Sequence, residues 1–135
     1  MTGSDERIIG EWRFRVEAGK IAEFARALGA DLKDPTIAPP TFTVVAAADF
    51  VERLVTDILK VDRKRTLHGE QSYEYIAPIR AGMTLACKAR ILSDQMKSGR
   101  QGGRMRVVTV AIDYSDAASG AVLLRETMTT IEKET

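Results

Sequence analysis

Few side chains in this sequence can move protons or hold an anion. The 135 residues contain one histidine, His68, and one cysteine, Cys87, so any imidazole chemistry within the chain must use His68. One His and one Cys do not make a zinc ligand set. Two carboxylates, Asp31 and Asp34, lie in the loop ADLKDPTIAPP, which three prolines interrupt. A carboxylate there can serve as a general base, or, as Asp before Pro commonly does, brace a turn. The segment KSGRQGGRMR gathers four cations among three glycines. Glycines let the backbone approach an anion and guanidinium groups grip phosphate bidentately, so Lys97, Arg100 and Arg104 are candidate phosphate ligands, with Arg80 beside the Pro78 turn as another. The alternative for the same segment is a solvated hairpin tip. Cys87 stands among Leu85, Ala89 and Ile91 on an apolar strand face, which predicts a buried, inert thiol rather than a nucleophile.

The elements that must position these groups follow from periodicity. Trp12 to Val16 alternates apolar and basic residues and predicts a short strand. Ile21, Phe24, Ala25 and Leu28 recur at helical spacing and Gly29 closes that helix. A second helix, about Thr43 to Leu59, is apolar around most of its circumference through Val44, Ala47, Ala48, Val51, Leu54, Val55 and Ile58. Such a helix needs to be wrapped. The segments Thr66 to Ala77, Thr84 to Leu92, Arg104 to Tyr114 and Ala121 to Ile131 all alternate, with Lys97 to Gly103 and Ser115 to Gly120 as hairpin turns. Together they predict an α+β fold: one domain over residues 1–135, a long antiparallel sheet wrapped around a central helix. A helix of about 17 residues spans roughly 25 Å, and strands of about 9 to 12 residues span roughly 30 to 40 Å, so each strand can cover it. In the strand from Thr66, Leu67, Gln71, Tyr73 and Tyr75 fall on one face and His68, Glu70, Ser72 and Glu74 on the other. That alternation predicts that His68 faces solvent, and that Tyr73 and Tyr75 are core or interface aromatics.

Composition narrows the partners. Twenty Lys and Arg against nineteen Asp and Glu give a formal net charge of +1, without the field that draws a protein onto nucleic acid or an anionic membrane. The longest apolar runs fall well short of the roughly 20 residues of a membrane span, and no leader-like apolar segment opens the chain. A cytoplasmic protein with neither nucleic acid nor membrane as partner is the expectation.

The order of motifs resembles a known family. A short helix IAEFARALG, a proline loop ending in APPTF (Ala38 to Phe42), a long apolar helix, the run LHGEQSYEYIAPIRAGMTL and the last strand RETMTTI are similar to the MaoC-like N-terminal, or FAS1-like, dehydratases, which have the hotdog fold. The resemblance covers about Gly10 to Ile131. It implies reversible hydration of the 2,3-double bond of an enoyl thioester. The thioester is carried on coenzyme A or acyl carrier protein, so no resident cofactor or metal is implied. It also implies domains that pair their sheets edge to edge, as a homodimer or with a second hotdog subunit.

Catalytic members of the wider hydratase group carry an Asp and a His in a segment of the form FAxxSGDxNPxH, and here the corresponding stretch is FARALGADLKDPTI. Phe24, Ala25 and Gly29 fit, and Asp31 or Asp34 could stand for the aspartate. Two extra residues precede Pro35, and Ile37 stands where the resemblance calls for histidine. Three readings follow: an acyl-binding, catalytically degenerate subunit whose hotdog partner supplies Asp and His; a self-sufficient homodimeric (R)-specific enoyl-CoA hydratase; or a non-catalytic acyl-thioester binding protein.

Overall fold

The computed structural model describes residues 7–134. Five antiparallel strands form one sheet: β1 (Arg7–Arg15), β2 (Thr66–Tyr75), β3 (Thr84–Ser98), β4 (Arg104–Asp116) and β5 (Val122–Lys133), in the order β1-β3-β4-β5-β2. The segments from Thr84 onward form a meander because their hairpin turns are short, and β2 lies on the free side of β5, its partners 49 to 66 residues further along the chain. Helix α1 (Ala18–Leu28) ends on Gly29, whose φ of 69° is the left-handed conformation glycine adopts without penalty.

The apolar segment predicted as one helix over Thr43 to Leu59 is three pieces. Helix α2 (Thr43–Ala46) breaks at Ala47, helix α3 (Ala48–Arg53) follows, and a π turn spans Leu54–Ile58. Trp12 Nε1 donates to Ala46 O at 2.9 Å, at the break. The pieces still fill the concave side of the sheet: Phe42, Ala46, Ala47, Phe50 and Leu54 are buried against Leu85, Ala89, Ile91, Val110 and Ile112. Apolar circumference therefore identified a central helical layer but not its continuity, since a buried break in the backbone leaves hydropathy unchanged.

The β1 edge fits this layer tightly at Gly10, beside a bulge in the β1–β3 pairing. A Cβ there would lie 2.8 Å from the Phe50 ring, which is already stacked on Trp12 at a centroid distance of 4.8 Å. Gly10→Ala should therefore lower stability by about 1–3 kcal/mol, the usual range for overpacking a fitted core, read as a shift in the urea midpoint with unchanged slope. Among the described residues no helix is long and apolar enough to cross a membrane.

Candidate active site

Strand β2 decides where the candidate groups go. Its pairing with β5 slips between His68 and Glu70, so that Gly69 is an extra residue. A bulge moves every residue before it to the opposite face. His68 pairs with Thr130, Gln71 with Met128, and Tyr73 with Glu126; opposite residues share a face, and Met128 and Glu126 are buried on the helix side. The expectation that His68 lies on the outer face with Glu70 and Glu74 is thus corrected, although His68 is exposed to solvent as expected of it. Strict alternation fails at Gly69, and His68 lines a cleft of about 360 Å³ between the helical layer and β2/β5. Gly69 was the available signal, since a glycine inside a strand pattern often marks a bulge.

The cleft has apolar walls from Val44, Ala47, Val51, Leu54 and Met128, and a polar floor. Glu126 is 1% exposed. Its Oε1 accepts from Thr43 Oγ1 at 3.0 Å and from Tyr114 Oη at 2.8 Å, and Oε2 accepts from the Gln71 amide, which also donates to Tyr73 Oη at 2.9 Å. A buried carboxylate is tolerable when its lone pairs are filled, and here hydroxyl and amide donors from β2, α2 and β4 converge on it. Burial and the nearby Glu126 charge push the Tyr114 and Tyr73 phenols up. Tyr75, also raised, to about 12, by burial first, donates to Pro40 O at 2.7 Å. Tyr114 and Tyr75 act as hydrogen-bond donors and Tyr73 as an acceptor from Gln71, structural roles rather than catalytic ones. Sequence reasoning missed Glu126, which is one of two acidic residues in the last strand segment and carries no local sign of burial beyond its phase with Leu124 and Met128.

Asp34 accepts from Thr36 N at 2.9 Å and Thr36 Oγ1 at 2.6 Å. Those bonds, with a smaller pull from Arg80, hold its carboxyl below the ordinary range, the opposite of what poises a base near neutral pH. It is a turn brace of the kind an Asp-Pro pair favours. Asp31 is exposed in the same loop, and Ile37 pairs in an isolated bridge with Arg80.

The remaining cations lie at the other end of the sheet. Lys97, Arg100 and Arg104 are exposed around the β3–β4 turn, where Arg100 and Arg104 line a groove of about 440 Å³ with Lys133 and Glu134. Arg106, the fourth cation of that run, is committed elsewhere: it forms a two-pronged contact with Asp94 at 2.9 and 2.8 Å and donates to Leu59 O at 2.7 Å. Through the ladder Arg106–Glu132–Thr66 this end of the sheet is also the His68 end of β2. The structure therefore puts His68 at the same end of the sheet as Lys97, Arg100 and Arg104, and puts Asp34 and Arg80 together near the far end of β2, with Asp31 three residues before Asp34 in the loop. Seven residues separate His68 from Tyr75, about 20 Å of extended chain. Cys87 is buried, its thiol pushed up to about 12 by desolvation, as an inert core cysteine requires. No cluster of His, Cys, Asp and Glu suited to a metal ion occurs among the described residues.

Comparison with known proteins agrees with this architecture. The family model described as "FAS1-like, dehydratase domain region" matches residues 6–125. Curated relatives include a UPF0336 protein of Streptomyces avermitilis, 33% identical over 124 residues, covering 82% of this chain and 79% of that protein. Another, from Thermobifida fusca, is 26% identical over 129 residues, covering 85% and 82%. Among solved structures, the HadBC (3R-hydroxyacyl-ACP dehydratase) complex of Mycobacterium tuberculosis superposes with TM-score 0.68 at 22% identity, covering 93% of this chain and 96% of that one. The (R)-hydratase of A. caviae involved in PHA biosynthesis gives 0.58 at 16%, covering 92% and 95%. The sheet order and the helical layer are those of the hotdog fold, and with the family model matching most of its length the chain belongs to the FAS1-like dehydratase family of MaoC-like hotdog proteins.

Proposed function

We propose that this chain is the acyl-binding, catalytically degenerate subunit of a 3-hydroxyacyl-thioester dehydratase, or enoyl-thioester hydratase, and that a second hotdog chain paired along β2 supplies the Asp and His. The observation that carries this reading is the separation of its acid–base candidates. Hydration needs a base for water, an acid for C2 and a donor for the thioester oxygen within one small volume. Here Asp34 is tied into its own turn at one end of β2 and His68 lies toward the other.

What the chain does offer is a place for an acyl group. The cleft beside His68 has the volume and apolar walls of a small-molecule site. Lys97, Arg100 and Arg104, exposed at the same end of the sheet, would meet the phosphates of a coenzyme A or acyl carrier protein arm. Among the described residues strand β2 leaves one edge unpaired, and edge-to-edge pairing there would close the cleft and bring a partner's loop beside His68. The Gly69 bulge favours a second reading, a self-sufficient homodimer, because it turns the one imidazole into the cleft. Two copies paired antiparallel along β2 would set the Asp34 end of one near the His68 end of the other.

One experiment separates the two. Enoyl-thioester hydration is measured for the chain alone, and again with a hotdog chain that carries its own Asp and His. The subunit reading expects turnover only in the mixture, unchanged by His68→Ala. Robust turnover by the chain alone, abolished by that substitution, would establish the homodimer instead.

A further inference from the structure

The convex face of the sheet carries a row of alternating charge that runs across every strand. Glu11 on β1 is opposite Lys88 on β3, Lys88 is opposite Asp113 on β4, Asp113 is opposite Arg125 on β5, and Arg125 is opposite Glu74 on β2. Two of these neighbours are in ion-pair contact, Lys88 with Glu11 at 3.8 Å and Arg125 with Asp113 at 2.8 Å. The row ends on a carboxylate at an edge strand. Glu70, opposite Thr129, adds a second acid to the same outward face of β2, and between Thr66 and Tyr75 there is no lysine or arginine.

The same edge is the apolar one. Leu67, Tyr75 and Ile76 are exposed along or just beyond β2, and Val44 stands exposed over the adjoining cleft. Even the helix-facing residue Gln71 is exposed, so β2 is covered on neither its free edge nor much of its inner side. Exposed apolar residues grouped on an unpaired strand mark a surface that another strand covers. A second copy of this chain covers it poorly. Antiparallel pairing centred on Ser72 would set Glu70 of each copy opposite Glu74 of the other, four carboxylates facing one another across the seam with Arg125 beside only the two Glu74 side chains, and like charges directly opposite destabilise a sheet.

We propose that β2 selects a non-identical strand, one that presents Lys or Arg outward where it faces Glu70 and Glu74, so that the charge row continues across the joint sheet and self-pairing is disfavoured. The inference rests on the reading of β2 as the pairing edge. Charges at such a seam act chiefly by rejecting the wrong partner and steering the right one.

The test uses the chain itself as probe. Glu70→Lys/Glu74→Lys is mixed with the native chain, and the dissociation constants of the mixture and of each component are measured by sedimentation at low salt. Glu70→Lys alone serves as a second variant that leaves the Glu74–Arg125 neighbours intact. The mixture should associate about tenfold or more tightly than the native chain with itself, and the gap should close as salt approaches about 1 M, where screening is nearly complete. Native self-association as tight as the mixture, or a mixture that stays monomeric with both variants, would overturn the charge rule. Association in the mixture that survives Leu67→Asp undiminished would place the interface elsewhere and overturn the pairing-edge reading together with the inference.

Discussion

Thr43→Val combined with Tyr114→Phe should destabilise the fold by about 3–6 kcal/mol, because each change removes one donor to a charged acceptor and such bonds contribute about 1.5–3 kcal/mol apiece. Both donors end on Oε1 of Glu126, which sits 1% exposed between the helical layer and the sheet. Stripped of them, the carboxylate keeps only the Gln71 amide. Against a total of about 5–15 kcal/mol for a domain, the double variant should be marginal or unfolded at ambient temperature. Adding Glu126→Met to the pair should recover most of the loss, since an apolar residue of similar volume needs no donors. Urea unfolding followed by Trp12 fluorescence measures all three. A double variant within about 1 kcal/mol of the native protein would mean that the hydroxyls do not hold the carboxylate, contrary to the network described above.

The second large effect concerns turnover. The chain alone should hydrate enoyl thioesters at least about 10²- to 10⁴-fold more slowly than a complex containing a catalytic hotdog partner, the contribution typical of one general acid or base. Ile37 stands where the family resemblance calls for a histidine, and it pairs in an isolated bridge with Arg80. Asp34, held ionised by Thr36, braces a turn. Asp34→Asn should therefore leave the activity of the complex within about twofold. A drop of about a hundredfold would identify that loop carboxylate as a working base and remove the main support for a partner-supplied site.

The sequence made the layers legible but not the local departures from regularity that build the site. Alternation over four segments predicted four of the strands: in β3, β4 and β5 one face is buried, while β2 alternates in sequence although neither of its faces is buried. Strand β3 ran on to Ser98 and β1 began at Arg7, where residues that pair with a neighbour without burying a face leave no period to detect. The turn-bracing role of Asp34 followed from Asp-Pro chemistry, and the inert thiol from its apolar company. His68 was misplaced by a single inserted glycine, since strand parity carries no memory across a bulge. Glu126 was invisible for a related reason. Its hydroxyl and amide donors lie 83, 12 and 55 residues away, and no local pattern encodes contacts at that range.

The strand order has a consequence for how the chain is made. β2 leaves the ribosome before β3, β4 and β5, yet among the described residues its only strand neighbour is β5, the last of the five in the chain. Until that strand emerges, the segment carrying His68, Gln71 and the acidic edge has nothing to pair with. Closing a loop this long costs entropy that its contacts return only at the end. The meander can form first and β2 must wait for it. A nascent chain stalled before Val122 would therefore lack the cleft, the carboxylate that floors it and the finished edge. Any partner that reads that edge would meet only chains made through β5, which makes the placement of β5 a check that the sheet is finished before assembly.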